Sequence, residues 1–435
     1  MAMAEPFPLE PSLWTATAPP APPTPPLAES ATADVCVIGG GYAGLSTALH
    51  LAERGVRTLV LEAKEPGYGG SGRNGGQVIP GLKYDPDDLE AKFGRERGEK
   101  LVAFAGRTAD AVFDLIAKHK MDVPHARNGW IQGAHSSSSV EETRRRAAQW
   151  ARRGAPVAWL DKAETDRHLG TTQYLASWID RRGGAVQPLA YARGLAKAAI
   201  AAGVAIHGET EATSLARETG RWVVTTQGGA RVTADKVAIC TNAYAGDLWP
   251  GLRRTVIAPN SYQIATEPLS DNIRKSILPF GQVSSDARKL LLYFRLDDRG
   301  RLLLGGRGPF REPRDAGDWK HLEAMLPRLF PQVKDARIDY RWCGRVAITR
   351  DFLPHLHEPA PGLLIDIGCM GRGVALQTAL GQAMAEYMAT GDAEALPLPL
   401  KPIQPLPFHA LNKLYFAAAV AWYRFLDRRG VGAAV

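Results

Sequence analysis

The hydrophobic pattern predicts a β-α-β unit near the start of the chain. Residues 34–38 form a compact apolar run, a glycine turn follows at 39–44, and apolar positions at helical spacing cover 43–54. A second apolar run occupies residues 58–61. A strand, a helix and a second strand in this order are typical of a parallel sheet covered by helices.

Helical spacing of apolar residues marks three later segments. It covers residues 87–119 and 140–153, and the serine run at 136–139 between them is predicted to be a loop. A third helix is predicted over 188–202, because the proline at position 188 suits the first turn of a helix. We expect the first two helices to belong to an inserted cap.

Apolar strands follow the third helix and return the chain to the first sheet. They are predicted over 204–207 and 236–240, with a hairpin between them. Residues 362–367 predict another strand, and a second glycine turn at 368–373 leads into a helix over 374–388. The second half of the chain therefore contributes its own strand, turn and helix to the first sheet.

The segment from 255 to 340 alternates differently. The stretches TVIAPNSYQIAT, KLLLYFRLDD and GRLLLGG predict antiparallel strands, and a helix is expected over 319–329. The whole chain is thus predicted to be α/β (α+β overall), with a Rossmann-type nucleotide domain and an antiparallel-sheet substrate domain. We assign 31–80, 150–250 and 345–391 to the nucleotide domain and 81–149 and 251–344 to the substrate or cap domain.

Both ends of the chain are predicted to lie outside these two domains. Residues 1–30 form a proline-rich arm, in which 15–27 cannot build a helix or a central strand, and Trp14 is a candidate anchor. Residues 392–435 form a C-terminal extension with a helix. Its apolar segment 414–422 is too short to span a bilayer and is expected to pack on the body, with contact to a membrane or partner as the alternative.

Composition narrows the choice of partners and compartment. The net charge of +8 comes from scattered arginines without an aromatic stripe or nucleic-acid motif, so we expect no nucleic-acid partner. The four cysteines are far apart, which disfavours a metal site or redox dithiol and suits a reducing compartment. The first ten residues lack the pattern of a secretory leader, so a cytoplasmic protein is expected.

The first glycine turn has the spacing of a dinucleotide fingerprint. Gly39 permits the tight turn, Gly41 lets the backbone approach a pyrophosphate, and Gly44 allows close packing of helix on strand. The helix N-terminus offers unpaired N–H groups to the phosphates. Glu62 ends the second strand, 18 residues after Gly44, where it would bind the hydroxyls of the adenosine ribose. NAD and FAD both fit this pattern.

The segment that follows the second strand favours FAD. It is too rich in glycine and polar groups for a core element, and it could wrap the extended middle of a cofactor. Its members are Ser71, Gly72, Arg73, Asn74, Gly75, Gly76 and Gln77.

Four segments together resemble a known family. VCVIGGGYAGLSTALHLAERG, LEAKEPGYGGSGRNGGQV, AICTNAY and IGCMGRGVAL, in this order, are similar to the amine-oxidising branch of the D-amino-acid oxidase superfamily, in particular to bacterial enzymes of the gamma-glutamylputrescine oxidase group. The resemblance implies a glutathione-reductase-like FAD domain with a substrate domain that roofs the flavin. It implies hydride transfer from the carbon beside an amine nitrogen to flavin N5.

The resemblance also assigns roles to individual residues. Tyr42, Ala43 and Ala63 join the first turn, residues 73–77 line the ribityl and isoalloxazine region, and Thr241, Asn242, Gly371, Arg372, Gly373 and Val374 complete the cofactor set. Negative charge gathers at N1 and O2 of a reduced flavin, so a helix N-terminus or the Arg372 cation would stabilise it there. The family's turn usually reads G-x-S-G-H-G, and here Met370 and Arg372 replace its serine and histidine.

Candidates for substrate binding lie in the second domain. Arginine suits a substrate carboxylate, which selects Arg295, Arg307 and Arg345, although Arg295 alternates with apolar residues and could face solvent. Trp342 is a candidate wall of the flavin cavity. His355 and His357 are expected to be loop or structural residues. Cys343 lies one residue out of register with the tethering cysteine of sarcosine oxidases, so FAD is expected to be non-covalent.

Three functions remain open on these grounds. The first is an amine or amino-acid oxidase, with a gamma-glutamylated amine as one candidate substrate, that passes electrons to O2 and releases an aldehyde or keto acid, ammonia and H2O2. The second is a D-amino-acid or N-methyl-amino-acid dehydrogenase that passes electrons to a quinone or carrier protein. The third is a non-enzymatic protein that holds FAD and acts through its arm and C-terminal helix.

Overall fold

A computed structural model describes residues 12–430 of the chain. Residues 1–11 and 431–435 lie outside the described residues. The first range is the start of the proline-rich arm, on which the prediction of no secretory leader depends. The second is the end of the C-terminal extension.

A parallel sheet forms the centre of the first domain. Its five parallel strands lie side by side in the order Ala205–His207, Thr58–Leu61, Ala31–Ile38, Arg231–Ile239 and Leu363–Ile367. The hairpin Ala212–Glu218 and Arg221–Thr226 pairs with the first half of the long strand 231–239, and His355–Ala360 extends the sheet beyond the last strand. The predicted strands are all present, and His355 and His357 lie in a strand rather than in a loop.

Three helices cover this sheet and share its core. Tyr42–Ala52 connects the first two strands, Gly373–Thr390 follows the last one, and Pro188–Ala201 begins with its proline in the first turn. The first two pack closely because Gly381 has no side chain: a Cβ there would lie 2.6 Å from that of Ser46 and 2.7 Å from the carbonyl oxygen of Ala43. Apolar residues from all three helices form one buried cluster.

A second eight-stranded sheet forms the other domain. In spatial order its strands are Ile338–Arg345, Asn260–Pro268, Arg301–Arg307, Tyr293–Leu296, Val283–Asp286, Trp130–Ala134, Ala176–Asp180 and Val157–Leu160. All neighbours are antiparallel except the fifth and sixth strands. The last two strands lie in the range that we assigned to the nucleotide domain, so a boundary at residue 150 is wrong. The strands of this sheet come from distant parts of the chain. The alternation of apolar and polar residues within 157–180 therefore does not reveal which sheet these strands join.

Helices of the cap are close to those predicted, with two differences. The helix expected over 87–119 is two helices, Pro86–Phe93 and Arg95–Lys118, because Gly94 breaks it with a φ of 78°. The serine run is not a loop: Ser136 caps the helix Ser137–Arg152 and forms a reciprocal capping box with Ser139. Serine is preferred at this position because its hydroxyl accepts a hydrogen bond from an otherwise unpaired N–H group.

The remaining elements are short. Two helices, Lys162–Leu169 and Lys320–Leu329, flank the second sheet, and Asp271–Ser276 is a short helix of six residues. Small sheets are formed by Gln77–Val78, Gly184–Val186 and His125–Ala126, and by Val256–Ile257 with Ile348–Thr349.

The described part of the proline-rich arm lies along the first domain. Trp14 is buried, as the anchor prediction requires, and its indole N–H donates to the carbonyl of Asn74 at 2.8 Å. Residues 15–17 belong to the short helix Leu13–Thr17, contrary to the expectation of an extended chain from residue 15, because no proline lies between Pro11 and Pro19. The rest is extended, and Arg193 donates to the carbonyl of Pro19 at 2.7 Å.

The C-terminal extension ends in the helix Asn412–Arg428. It packs on the loop after Val283–Asp286 through the Asp427 carboxylate, which accepts from the amides of Lys289 and Leu290 at 2.8 and 3.1 Å. Across residues 12–430 we find no helix that combines the length and the apolar character required to cross a bilayer.

Candidate active site

One cavity joins the two glycine turns. The carboxyl ends of parallel strands meet at one edge of a sheet, where ligands of open α/β sheets bind. At this edge lies a cavity of about 1410 Å³, and both Gly39 and Gly371 line it. It extends to the second sheet, so it is larger than the roughly 300–1,000 Å³ of a site for one small ligand. The space suits a dinucleotide together with a substrate.

The first turn requires glycine at two positions for different reasons. Gly39 has a φ of 109°, and a Cβ there would lie 2.8 Å from the carbonyl oxygen of Cys240. A Cβ on Gly44 would lie 2.0 Å from the carbonyl oxygen of Gly39. Gly41 stands at the N-cap of the helix that begins at Tyr42, so the free N–H groups of that helix point toward the cavity edge.

Glu62 lies at the end of the neighbouring strand and lines the same cavity. Its carboxylate accepts from the amides of Gly40 and Lys64, at 2.7 and 2.9 Å. Burial raises its pKa, although both amides oppose the change. The carboxylate is thus oriented by backbone beside the first glycine turn, in a position to accept from ribose hydroxyls.

The polar loop 71–77 is held against the first turn. The Ser71 hydroxyl accepts from the Tyr42 amide at 3.0 Å, and the Tyr42 hydroxyl donates to the Ser71 carbonyl at 2.6 Å. The Asn74 amide donates to the same tyrosine at 3.1 Å. Five members of the loop line the cavity, namely Ser71, Arg73, Asn74, Gly75 and Gln77, whereas Gly72 and Gly76 lie behind it.

Asn242 connects the ends of two strands at the second turn. Its side-chain oxygen accepts from the Gly368 amide at 3.0 Å, and its φ of 47° places it in the left-handed region. Thr241 and Asn242 both line the cavity, as do Gly371, Gly373 and Val374. The helix Gly373–Thr390 therefore begins at the cavity, as does the helix Tyr42–Ala52.

Arg372 stands at the N-cap of this second helix and lines the cavity. Its guanidinium donates to the carbonyl of Pro80 at 2.6 Å and lies 5.5 Å from the centre of the Trp130 ring, while its Nε is buried without a partner. Burial, and then the charge of Arg146, lower its pKa to about 10, so it keeps its proton at neutral pH. A helix N-terminus and a fixed cation thus occur together at this turn.

Two of the three substrate-side arginines line the cavity. Arg345 already pairs with Glu312 at 2.7 Å. Arg307 has no ion pair among residues 12–430, and its Nη1 is buried without a hydrogen-bond partner. Burial lowers its pKa to about 10, so it too stays charged at neutral pH. Arg307 is therefore the arginine with donors to spare.

Arg295 and Trp342 do not line the cavity. Arg295 is buried rather than solvent-facing, and its guanidinium donates to the carbonyls of Gly76 and Val186 at 2.9 and 2.7 Å. The Trp342 ring packs against Trp14, and its N–H donates to the Arg73 carbonyl at 3.1 Å. Both side chains lie at the junction of the arm, the polar loop and the second sheet, so neither Arg295 as a carboxylate-binding arginine nor Trp342 as a wall of the flavin cavity fits its position in the structure.

Lys83 is a cavity residue that the sequence did not single out. It follows the polar loop and belongs to no motif, so its only signal is that proximity. Its ammonium group has no hydrogen-bond or ion-pair partner within the described part of the chain. Burial, together with the charges of Arg372, Arg146 and Arg307, lowers its pKa to about 7. Other unpredicted lining residues are Gln132, Ser261, Gln263, Tyr293, Tyr415, Phe416 and Tyr423.

Two cysteines and two histidines that the sequence analysis considered or that lie near the site can now be placed. Cys343 is buried in the core of the second sheet and does not line the cavity, and burial raises the pKa of its thiol to about 12. Cys369 lies on the second glycine turn and does line it. His355 pairs with Asp351 at 2.7 Å, and His357 bonds to the carbonyl of Lys401 at 2.7 Å. Residues 12–430 hold no group of three side chains suited to a metal ion.

These features fit FAD. In the first turn a Cβ on Gly39 or Gly44 would collide with backbone, whereas no atom lies within 4 Å of a Cβ on Gly371 in the second turn. A half-buried carboxylate, Glu62, lies near the first turn and a half-buried cation, Arg372, lies at the second, and both line the one cavity. Arg307 and Gln263 present buried polar atoms without partners on the substrate side.

Comparisons with known proteins agree with the site. The family model described as "DAO: FAD dependent oxidoreductase" matches residues 34–387. Gamma-glutamylputrescine oxidoreductase of Escherichia coli (strain K12) is 33% identical over 412 residues, which cover 93% of this chain and 95% of that protein. Both the family match and this relative extend over the two domains and the glycine turns.

Solved structures show the same fold. Glycine oxidase from Geobacillus kaustophilus superposes with a TM-score of 0.71 at 22% identity, over 86% of this chain and 99% of that chain. L-Proline dehydrogenase from P. horikoshii gives a TM-score of 0.71 at 18% identity, over 86% and 100%. These structures confirm the α/β fold class, and the family match together with the E. coli relative confirms the enzymatic nature and FAD as cofactor. The chain belongs to the DAO family of FAD-dependent oxidoreductases, enzymes that act on amines and amino acids.

Proposed function

We propose that this enzyme oxidises the C–N bond of an amine that also carries a carboxylate. The observation that carries the proposal is a group of three cations, Lys83, Arg307 and Arg372, that line the cavity without a carboxylate partner among residues 12–430. Partly buried cations without a counter-charge are costly, and a bound anion would offset that cost. A substrate carboxylate is the anion that amine and amino-acid substrates supply.

The proposed cofactor contacts follow the two turns. The N–H groups of the helix Tyr42–Ala52 would hold the pyrophosphate, Glu62 would accept from the adenosine ribose, and the loop 71–77 with Thr241 and Asn242 would surround the middle of the cofactor. When bound, FAD supplies the acceptor for the hydride that leaves the α-carbon of the amine. Arg372 and the N-terminus of Gly373–Thr390 would offer positive charge to the ring.

The remaining residues would position the substrate and shield it. Arg307 has two-pronged donors that match a carboxylate, and Lys83 adds positive potential beside it. Tyr415, Phe416 and Tyr423 of the C-terminal helix line the cavity, where they would exclude water from the reacting carbon. Holding the α-carbon in place is the main task, because a neutral amine needs no acid to lose a hydride. The imine product then hydrolyses to an aldehyde or keto acid and ammonia.

Gamma-glutamylated amines are the substrate class that we place first. The E. coli relative is named for gamma-glutamylputrescine. A gamma-glutamyl group carries a carboxylate, whose charge is complementary to the cations that line the cavity. For the electron acceptor we propose O2, with H2O2 as product. A quinone or carrier protein is the second candidate, and the exposed apolar face of the C-terminal helix favours it.

Anaerobic reduction of the flavin tests the substrate class. The holoprotein is mixed without oxygen with putrescine, gamma-glutamylputrescine, sarcosine, glycine and D-amino acids, and loss of the yellow flavin band is followed. We expect reduction by carboxylate-bearing amines and little by putrescine. Air is then admitted, and peroxide is assayed to identify the acceptor.

Substitution of Arg307 links the result to the site. Arg307→Gln should raise KM for the active substrate about 10- to 150-fold, because charged hydrogen bonds contribute about 1.5–3 kcal/mol each. Arg231, which is exposed, has an ion pair with Glu218 and lies outside the cavity, so Arg231→Gln is the matched control. Faster reduction by putrescine than by any carboxylate-bearing amine, or an unchanged KM in Arg307→Gln, would contradict the proposal.

A further inference from the structure

The C-terminal helix has an apolar outer face that nothing in residues 12–430 covers. Leu414 is 69% exposed, Trp422 57% and Phe425 44%, and the alanines at 417, 418 and 421 between them are exposed as well. Trp422 and Phe425 stack on each other with ring centroids 5.4 Å apart. These six residues, which we call the outer face, form one continuous stripe at helical spacing.

The apolar exposure is concentrated at this place. Among the described residues, nine large hydrophobic side chains are exposed, and six of them belong to the helix or the turn before it: Phe408, Leu411, Leu414, Tyr415, Trp422 and Phe425. Scattered exposed apolar residues are normal, whereas a contiguous patch marks a surface that binds something.

Basic residues flank the outer face. Lys413 and Arg424 are exposed on the helix, and Arg429 follows it with its guanidinium 5.0 Å from the centre of the Phe425 ring. The one acidic residue of the helix, Asp427, faces inward to the amides of Lys289 and Leu290. The outer face is therefore both apolar and positively charged.

We propose that the outer face docks on an anionic membrane surface. An amphipathic helix with aromatic residues on its apolar side and basic residues beside them lies in the plane of the lipid headgroups. Basic residues near an anionic leaflet add electrostatic attraction to the headgroups. The protein's net charge of +8 acts in the same direction.

Charge favours lipid over a second copy of this chain. In a symmetric dimer each outer face would meet its own image, so the basic residues of the two helices would lie near each other and repel. Anionic headgroups pair with those residues instead. The docking concerns only the outer side of the helix, and it goes beyond the proposed oxidation, which uses the inner side.

Flotation with lipid vesicles tests the docking. Purified holoprotein is mixed with vesicles of phosphatidylcholine and phosphatidylglycerol, or of phosphatidylcholine alone, at low and high salt. We expect binding to the anionic vesicles that weakens with salt. The variant Leu414→Ser/Trp422→Ser/Phe425→Ser should lower the partition coefficient at least about tenfold, because burial of apolar area drives interfacial binding.

Controls distinguish binding through the outer face from nonspecific binding and from misfolding of the variant. Leu175 is 46% exposed outside the helix, so Leu175→Ser should leave vesicle binding unchanged. The flavin spectrum and thermal unfolding of the triple variant should match those of the wild type, because none of its three positions lines the cavity. The proposal is overturned by absence of binding to anionic vesicles or by equal binding of the triple variant. It is also overturned if sedimentation velocity shows a dimer that the triple variant dissociates, since a second copy would then cover the face.

Discussion

Replacing Gly44 by alanine should damage cofactor binding more than its single added methyl group suggests. In the structure the new Cβ would lie 2.0 Å from the carbonyl oxygen of Gly39, and side-chain carbons do not come closer than about 3.0 Å to such an atom. The helix Tyr42–Ala52 and the strand before it must therefore separate by about 1 Å. Neither atom belongs to a flexible side chain, so the movement has to come from the backbone.

The size of the effect follows from what this movement disrupts. The first N–H groups of the helix shift relative to the phosphates, and loss of one charged hydrogen bond costs about 1.5–3 kcal/mol. The dissociation constant for FAD should therefore rise about 10- to 150-fold. Strain in the packed core should also lower the free energy of unfolding by about 1–3 kcal/mol.

Titration of apoprotein with FAD, followed by quenching of the flavin fluorescence, measures the affinity, and urea denaturation measures the stability. Gly228→Ala is the matched control, because no atom lies within 4 Å of a Cβ at that position and its φ is not positive. If Gly44→Ala bound FAD within a factor of two of wild type, the first glycine turn would not be the phosphate site and the reasoning would be refuted.

Three further predictions concern charge and capping. Arg372→Leu should lower the flavin midpoint potential by about 30–60 mV, because about 1.4 kcal/mol corresponds to 30 mV for a two-electron couple. Redox titration measures the potential, and Arg372→Lys should restore most of the loss. Equal potentials in all three proteins would exclude a role for the charge. The Lys83 ammonium loses its proton as pH rises through about 7. The dissociation constant of benzoate, measured from the flavin spectrum, should therefore increase over that range in wild type and vary less in Lys83→Met. Identical pH profiles of the two proteins would argue against a lysine near the anion. Ser136→Ala removes the capping box of the helix Ser137–Arg152 and should lower the free energy of unfolding by about 1 kcal/mol, as measured in urea, whereas Ser138→Ala, which leaves the capping box intact, should have a smaller effect.

Much of the fold near the first turn could be predicted because it is encoded locally. The strand, the glycine turn and the helix depend on neighbouring residues: a positive φ at Gly39, a close approach at Gly44 and an apolar stripe on the following helix. The polar loop 71–77 was recognised for the same reason, since its composition excludes a core element. The serine run shows the limit of such reasoning, because serine serves both loops and helix caps.

The substrate side could not be predicted in the same way. Arg295 and Arg307 look alike in sequence, on neighbouring strands of one sheet. Only the position of the loop 71–77, more than 200 residues earlier, places one guanidinium on backbone carbonyls and leaves the other in the cavity. Trp342 is likewise covered by Trp14, which comes from the arm at the opposite end of the chain.

By itself, then, the sequence determined the nucleotide-binding edge of the molecule, because backbone conformation and helix capping are set by residues within a few positions of one another. The tertiary structure decided which cations line the cavity and that Lys83 is among them. It also decided that one side of the C-terminal helix lines the cavity while the outer face of the helix is exposed. Those properties depend on burial and on pairings between distant segments, which no local pattern of residue types contains.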